Sequence, residues 1–170
     1  CRNIGLEKAT GEYVYFIDCD DYLMDGALKR LLDLAEEKQA VMTTGNKYSS
    51  WFKPVNFDFE KAKQETFIEG VKPLEGQTLR DRFVEMYSVQ HFLIRRDFVM
   101  EHELSFDTTT RFYSDMTFCV KLLKLAAGKM WVDGDSLYIW RHRNDQIHLP
   151  ALCQKKRGHR SGEFLDAYDK

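Results

Sequence analysis

Along the chain, apolar and polar positions alternate between two periods, one of strands and one of helices. The clearest segment is Tyr13-Val14-Tyr15-Phe16-Ile17-Asp18-Cys19-Asp20-Asp21, a continuous apolar run that ends in three carboxylates. Such a run predicts a strand buried on both faces over residues 12–18. Before it, residues 2–10 read as the end of a helix, with Gly11 placed to stop it. After it, Ala27, Leu28, Leu31, Leu32 and Ala35 recur at helical spacing and predict an amphipathic helix over 25–38. A second strand follows over 39–48, broken at Gly45, so the chain opens as a strand–helix–strand unit.

Residues 49–77 change character. Pro54, Gly70, Pro73 and Gly76 among many Lys, Glu and Phe residues predict an irregular excursion, a lid or a hairpin. Thr78 is placed to cap a helix over 79–87, with Asp81 in its first turn. Residues 89–94 read as a strand, and Arg95-Arg96-Asp97 as the start of a short helix through Glu103. A loop over 107–113 leads to Ser114-Asp115 and a helix with Met116, Cys119, Val120, Leu123 and Ala127 on one face, ended by Gly128. A last strand spans 130–140. Residues 151–170 form a polar, basic tail with helical character, set apart from a domain covering 1–150.

Composition narrows the class. With 170 residues, 44% of them hydrophobic, the chain can bury the core of one domain. A net charge of -2 gives no basic field, so nucleic acid is not an expected partner. Cys1, Cys19, Cys119 and Cys153 form no CxxC pair, which argues against a zinc site or disulfide framework. Reduced thiols fit a cytoplasmic location. No apolar run approaches the ~20 residues of a membrane span, and no signal peptide is evident. The chain starts at Cys1, almost inside an organised motif, and so reads as part of a longer polypeptide.

Four groups of residues could carry chemistry. In extended geometry Asp18 and Asp20 project to the same side of the strand, and two close carboxylates call for a hard cation such as Mg²⁺, Mn²⁺ or Ca²⁺. A lone Asp after a strand would more simply mark a turn. Asp115 at a helix start is either a functional carboxylate or a dipole-stabilising residue beside an N-cap Ser. The segment 141–148, with Arg141, His142, Arg143 and His148, is a solvated loop or a cationic site for a diphosphate. Arg2-Asn3, just before the first helix, would hold a ligand or cap the helix.

Known acidic patterns differ in how well they match. An EF-hand loop fails because Tyr22 and Leu23 occupy positions that need oxygen ligands or Gly. A haloacid-dehalogenase-type phosphatase also places Asp-x-Asp after an apolar strand, but Tyr22 departs from its pattern. Gly134-Asp135 echoes that family's later acidic motif, without a second carboxylate at Ile139. This phosphatase remains the alternative reading.

The block Arg2-Asn3-Ile4-Gly5-Leu6, then Gly11-Glu12-Tyr13 and the strand ending in Asp18-Cys19-Asp20-Asp21, closely resembles the middle of family 2 glycosyltransferases. The resemblance continues through Phe112-Tyr113-Ser114-Asp115 and from Tyr138 to His148. It is greatest for enzymes building bacterial teichoic acids or capsular polysaccharides. It implies a GT-A fold, a Rossmann-like mixed α/β sheet flanked by helices, with residues 1–150 as the C-terminal portion of the catalytic domain. The family's opening strand and nucleoside pocket would lie upstream of Cys1, so this chain would be N-terminally truncated and inactive by itself.

The resemblance also implies a metal-dependent inverting transfer from a nucleotide-diphosphate sugar, a UDP-sugar, to a glycan or polyol-phosphate acceptor. Asp115 would be the general base. Arg2, Asp18 and Arg143 would bind the donor, and Asp20 and His148 would hold Mn²⁺ or Mg²⁺. Ser114 stands where the family usually has Glu. The sheet edge left open upstream would be covered by a partner copy, giving a homo-oligomer, or by another segment. Lys155-Lys156-Arg157 reads first as part of a solvated tail, with contact to an acidic polymer or to an anionic membrane at its cytoplasmic face as the alternative. A catalytically inactive glycan-binding domain is the further alternative.

Overall fold

The computed structural model describes residues 1–51, 68–82, 88–110 and 114–142. Most of the 49–77 excursion, the end of the helix expected over 79–87, Arg143, His148 and the 151–170 tail lie outside the described residues. The elements run α1 (Arg2–Lys8), β1 (Tyr13–Tyr15), β2 (Tyr22–Leu23), α2 (Ala27–Lys38), β3 (Met42–Trp51), β4 (Val71–Pro73) and α3 (Gly76–Arg82). A 3₁₀ turn (Val89–His91) leads into β5 (Phe92–Arg95), α4 (Arg96–Glu101), α5 (Ser114–Leu125) and β6 (Met130–His142). Among the described residues the sheet has the order β1-β5-β3-β6-β2, with β4 also on β6.

The sheet is mixed. β3 and β6 pair in parallel, whereas β5 is antiparallel to both β1 and β3. β1 and β3 therefore point the same way with β5 inserted between them, so the opening strand–helix–strand unit is not a pair of adjacent strands. The apolar face of α2 explains its position. Leu31 and Ala35 are buried against Leu93 on one side of the sheet, with Tyr13 and Tyr15 packed around them. On the other side Phe92, Ile94 and Met42 meet Phe118, Cys119 and Leu122 of α5 and Phe98 of α4. Helices thus cover both sides, which an α/β sheet with buried strands requires.

Several expectations need correction in detail. α1 ends at Lys8 with Ala9 as its C-cap, so Gly11 does not stop it. The strand expected over 12–18 pairs only over Tyr13–Tyr15, and Ile17 is exposed. Thr78 lies inside α3, which starts at Gly76, and so does not cap it. Residues 89–91 form a 3₁₀ turn before the strand begins. Gly128, at φ 77°, does end the run after α5, as its left-handed backbone requires.

Gly45 does not break its strand. It marks a bulge, because the β3–β6 register jumps from Gly45↔Asp133 to Asn46↔Leu137. A Cβ at Gly45 would lie 2.2 Å from the Ser136 carbonyl oxygen, so only glycine fits. Asn46 holds the bulge by donating through Nδ2 to the carbonyls of Gly134 at 2.6 Å and Ile68 at 2.9 Å. Arg30 of α2 clamps the same region: its Nε donates to Asp133 Oδ2 at 2.9 Å, and a terminal nitrogen reaches Asp135 Oδ2 at 3.1 Å. Burial of Asp133 would raise its pKa. The Arg30 guanidinium, the Ser136 hydroxyl and the Asp135 amide outweigh that and hold it below the usual value.

Two stability outcomes follow from the bulge. Gly45→Ala should cost about 1–3 kcal/mol through overpacking, read by chemical denaturation. Asp133 has a depressed folded-state pKa, so its contribution is complete above the unfolded value and lost as pH falls through the lowered one. Asp133→Asn should therefore lower the unfolding midpoint at pH 7, with the gap to wild type closing as the pH is taken from 5 towards 3.

Candidate active site

The apolar run leaves the sheet after Tyr15 and turns at once. The Asp18 carbonyl accepts the Asp21 amide at 3.0 Å, which closes a tight turn over residues 18–21. The same-side projection of Asp18 and Asp20 rested on extended geometry, and the turn replaces it. Asp21 faces inward: its Oδ1 accepts the Arg141 amide at 2.8 Å, and its Oδ2 accepts the hydroxyl of buried Tyr138. Burial raises the Asp21 pKa, the two donors oppose that, and the neighbouring Asp20 and Asp18 charges add to it. Asp21 thus fastens the acidic turn to β6, while Asp18, Asp20 and Asp21 all remain partly exposed.

Asp18 is held on both oxygens. Arg2 of α1 reaches Oδ1 at 3.4 Å, and Gln90 Nε2 donates to Oδ2 at 2.7 Å. Arg2 also lies over the Phe106 ring, with its guanidinium carbon 5.5 Å from the centroid. Its neighbour Asn3 does not cap the helix. Asn3 Nδ2 donates to the Phe106 carbonyl at 2.9 Å and its Oδ1 accepts the Phe106 amide at 2.8 Å. This paired bond pins the loop after α4 to α1. Phe106 then stacks on Phe118 with centroids 4.3 Å apart, and Phe16 meets both edge-on. One aromatic cluster therefore joins the acidic turn, the loop and α5.

Asp115 sits in the first turn of α5. The helix start was expected to favour its charged form, but burial dominates and raises its pKa. Arg2, its own amide and the Val89 amide lower it, while Asp18 raises it. Asp18 and Asp115 thus feel each other's charge and share Arg2 as counter-charge. A carboxylate with a raised pKa is a stronger base than a free one, which suits proton abstraction. The structure brings together Arg2, Asp18 and Asp115. It leaves Arg143 and His148 outside the described residues.

Sequence reasoning missed the turn at 88–91 and Tyr138. The polar pair Gln90-His91 inside an apolar stretch was the available sign that the strand starts later. Asp135, singled out by its phosphatase-like spacing, is bound to Arg30, and Ile139 in the position of the missing carboxylate is buried in the core. Among the described residues, no group of three or more His, Cys, Asp or Glu side chains is placed to hold a metal ion. Asp20, a partly exposed carboxylate on the 18–21 turn, is the kind of ligand Mg²⁺ takes when substrate phosphates and water complete its shell.

The family model for Glycosyl transferase family 2 matches residues 1–102. The chain belongs to that family, and its fold is GT-A. Glycosyltransferase GlyG of Streptococcus pneumoniae is 26% identical over 86% of this chain and 49% of its own length. The poly(ribitol-phosphate) beta-glucosyltransferase of Bacillus spizizenii is 25% identical over 87% of this chain and 22% of its own length. The S. aureus TarS structure in complex with UDP superposes with a TM-score of 0.65 at 22% identity, covering 82% of this chain and 38% of that one. A second TarS structure, in complex with UDP-GlcNAc, gives 0.63 at 21% identity, over 85% and 39%. The chain spans half or less of the length of these relatives. No helix among the described residues is long and apolar enough to cross a membrane.

Asp115 has a folded-state pKa raised above its unfolded value, so stability is lost as the pH rises through the raised value. Asp115→Asn should unfold at a higher temperature than wild type at pH 8, with the difference shrinking towards pH 4. Tyr138→Phe removes the hydroxyl that satisfies Asp21 and should cost about 1–3 kcal/mol in thermal or chemical unfolding.

Proposed function

We propose that the protein is a metal-dependent inverting glycosyltransferase that moves a sugar from a UDP-sugar to a polyol-phosphate or other cell-surface glycan acceptor. The observation that carries this reading is the convergence of Arg2, Asp18 and Asp115 at one end of the sheet, with two carboxylates within each other's field. It is supported by family membership and by TarS neighbours whose structures hold UDP and UDP-GlcNAc. The named activity of the poly(ribitol-phosphate) relative supports the acceptor class.

In this reading residues 1–150 form part of the catalytic domain and 151–170 a tail. Asp18 and Arg2 bind the donor, and Asp20 would be a ligand of the metal. Arg143 and His148, outside the described residues, are assigned to the diphosphate and the metal. A bound Mn²⁺ or Mg²⁺ would offset charge on the leaving diphosphate. Asp115 accepts the proton of the acceptor hydroxyl as that oxygen bonds to the anomeric carbon from the face opposite the leaving group. The bond from the anomeric carbon to the diphosphate breaks, UDP leaves, and the configuration inverts. The raised basicity of Asp115 serves this step, and Arg2 opposes the rise by favouring the ionised form.

Calorimetric titration of the full-length protein with UDP, with and without Mn²⁺, tests the reading. Binding should require Mn²⁺ in wild type and be lost or strongly weakened in Asp20→Asn. Asp115→Asn should still bind UDP yet lose about 10²–10⁴-fold in transfer rate. UDP binding without any transfer in wild type would favour an inactive glycan-binding domain, and absence of binding would count against the transferase reading.

A further inference from the structure

Residues 88–91 lie between the two carboxylates of the site and touch both. The amide of Val89 bonds to Asp115, and the side chain of Gln90 bonds to Asp18 at 2.7 Å. The turn is anchored from below, because Val89 is 0% and His91 1% exposed. From this arrangement we infer that Gln90 is a positioning residue, which fixes the orientation of Asp18 for the donor nucleotide and is itself aimed by a relay from Lys47.

The direction of the relay is set by chemistry. Lys47 Nζ can only donate, and it lies 3.4 Å from Ser88 Oγ. Ser88 accepts from the ammonium and turns its own proton to Gln90 Oε1. With its oxygen engaged, the Gln90 amide must present Nε2 to Asp18, whose ionised carboxylate can only accept. Lys47 is steadied by the Trp140 ring, its Nζ lying 4.3 Å from the centroid. Arg2 takes the other oxygen of Asp18 at the longer distance of 3.4 Å. The 2.7 Å bond from Gln90 is therefore the tighter of the two that set the carboxylate plane. A bond to an ionised acceptor is among the stronger kinds, so its loss should be visible in binding.

This inference rests on the proposed UDP-sugar reading and adds to it a residue outside the family motifs. The test is calorimetry of UDP with Mn²⁺ on full-length wild type, Gln90→Ala, Gln90→Glu and Lys47→Met, with the unfolding midpoint of each. Gln90→Ala should weaken UDP binding about tenfold. Gln90→Glu fills the same space but replaces the donor by an acceptor beside Asp18, and should weaken it at least as much. Lys47→Met, one step further away, should have a smaller effect in the same direction. The midpoints of both Gln90 variants should stay close to wild type, which a merely structural role would not allow. Wild type that binds UDP together with Gln90 variants that bind it equally well would overturn the inference and leave the transferase reading standing. Weakened binding that only tracks a lowered midpoint would overturn it too. Wild type that binds no UDP would overturn both.

Discussion

The acidic turn depends on one carboxylate that is bonded to β6. Asp21 is turned into the protein, where an unpaired charge would be costly, and the Tyr138 hydroxyl and the Arg141 amide satisfy its two oxygens. Those partners belong to β6, the strand that runs beside β3 in the middle of the sheet. The turn over 18–21 is thereby tied to the most central part of the fold. With both oxygens of Asp21 engaged by β6, the turn that carries Asp18 and Asp20 is fixed in place. Asp21 is thus set apart from Asp18 and Asp20 by the two donors that it finds on β6.

A second constraint gathers the remaining groups. Asp18 follows β1, Asp115 opens α5, and Arg2 opens α1, so nothing in chain order brings them together. The aromatic cluster of Phe16, Phe106 and Phe118, with the Asn3–Phe106 backbone pair, packs these three elements against one another. The 88–91 turn then supplies polar contacts to both carboxylates. Apolar packing sets the distances and hydrogen bonds set the orientations. The result is an Asp115 whose pKa is raised, within the field of Asp18 and with Arg2 as a shared counter-charge.

Much of this was legible in the chain, and the parts that were not share a physical cause. Local signals marked α2, α5, the turn after the first strand, and Asp18 and Asp115 as candidate residues, because periodicity, capping and terminal acids are encoded within a few positions. Family-level resemblance supplied the GT-A fold. What stayed hidden depends on long-range pairing. β5 is inserted antiparallel between β1 and β3, Gly45 is a bulge because residues 134–136 crowd it, and Asp21 is structural because Tyr138 lies 117 positions away. The pKa of Asp115 was expected to follow the helix dipole. Burial outweighs that local effect.

The most direct test of the account is a crystal structure of the full-length protein with UDP and Mn²⁺. The account predicts the diphosphate beside the 18–21 turn, Asp18 still bonded to Gln90, and Asp115 facing the side from which an acceptor would approach. UDP bound away from that turn, or Asp115 directed away from the diphosphate, would contradict it.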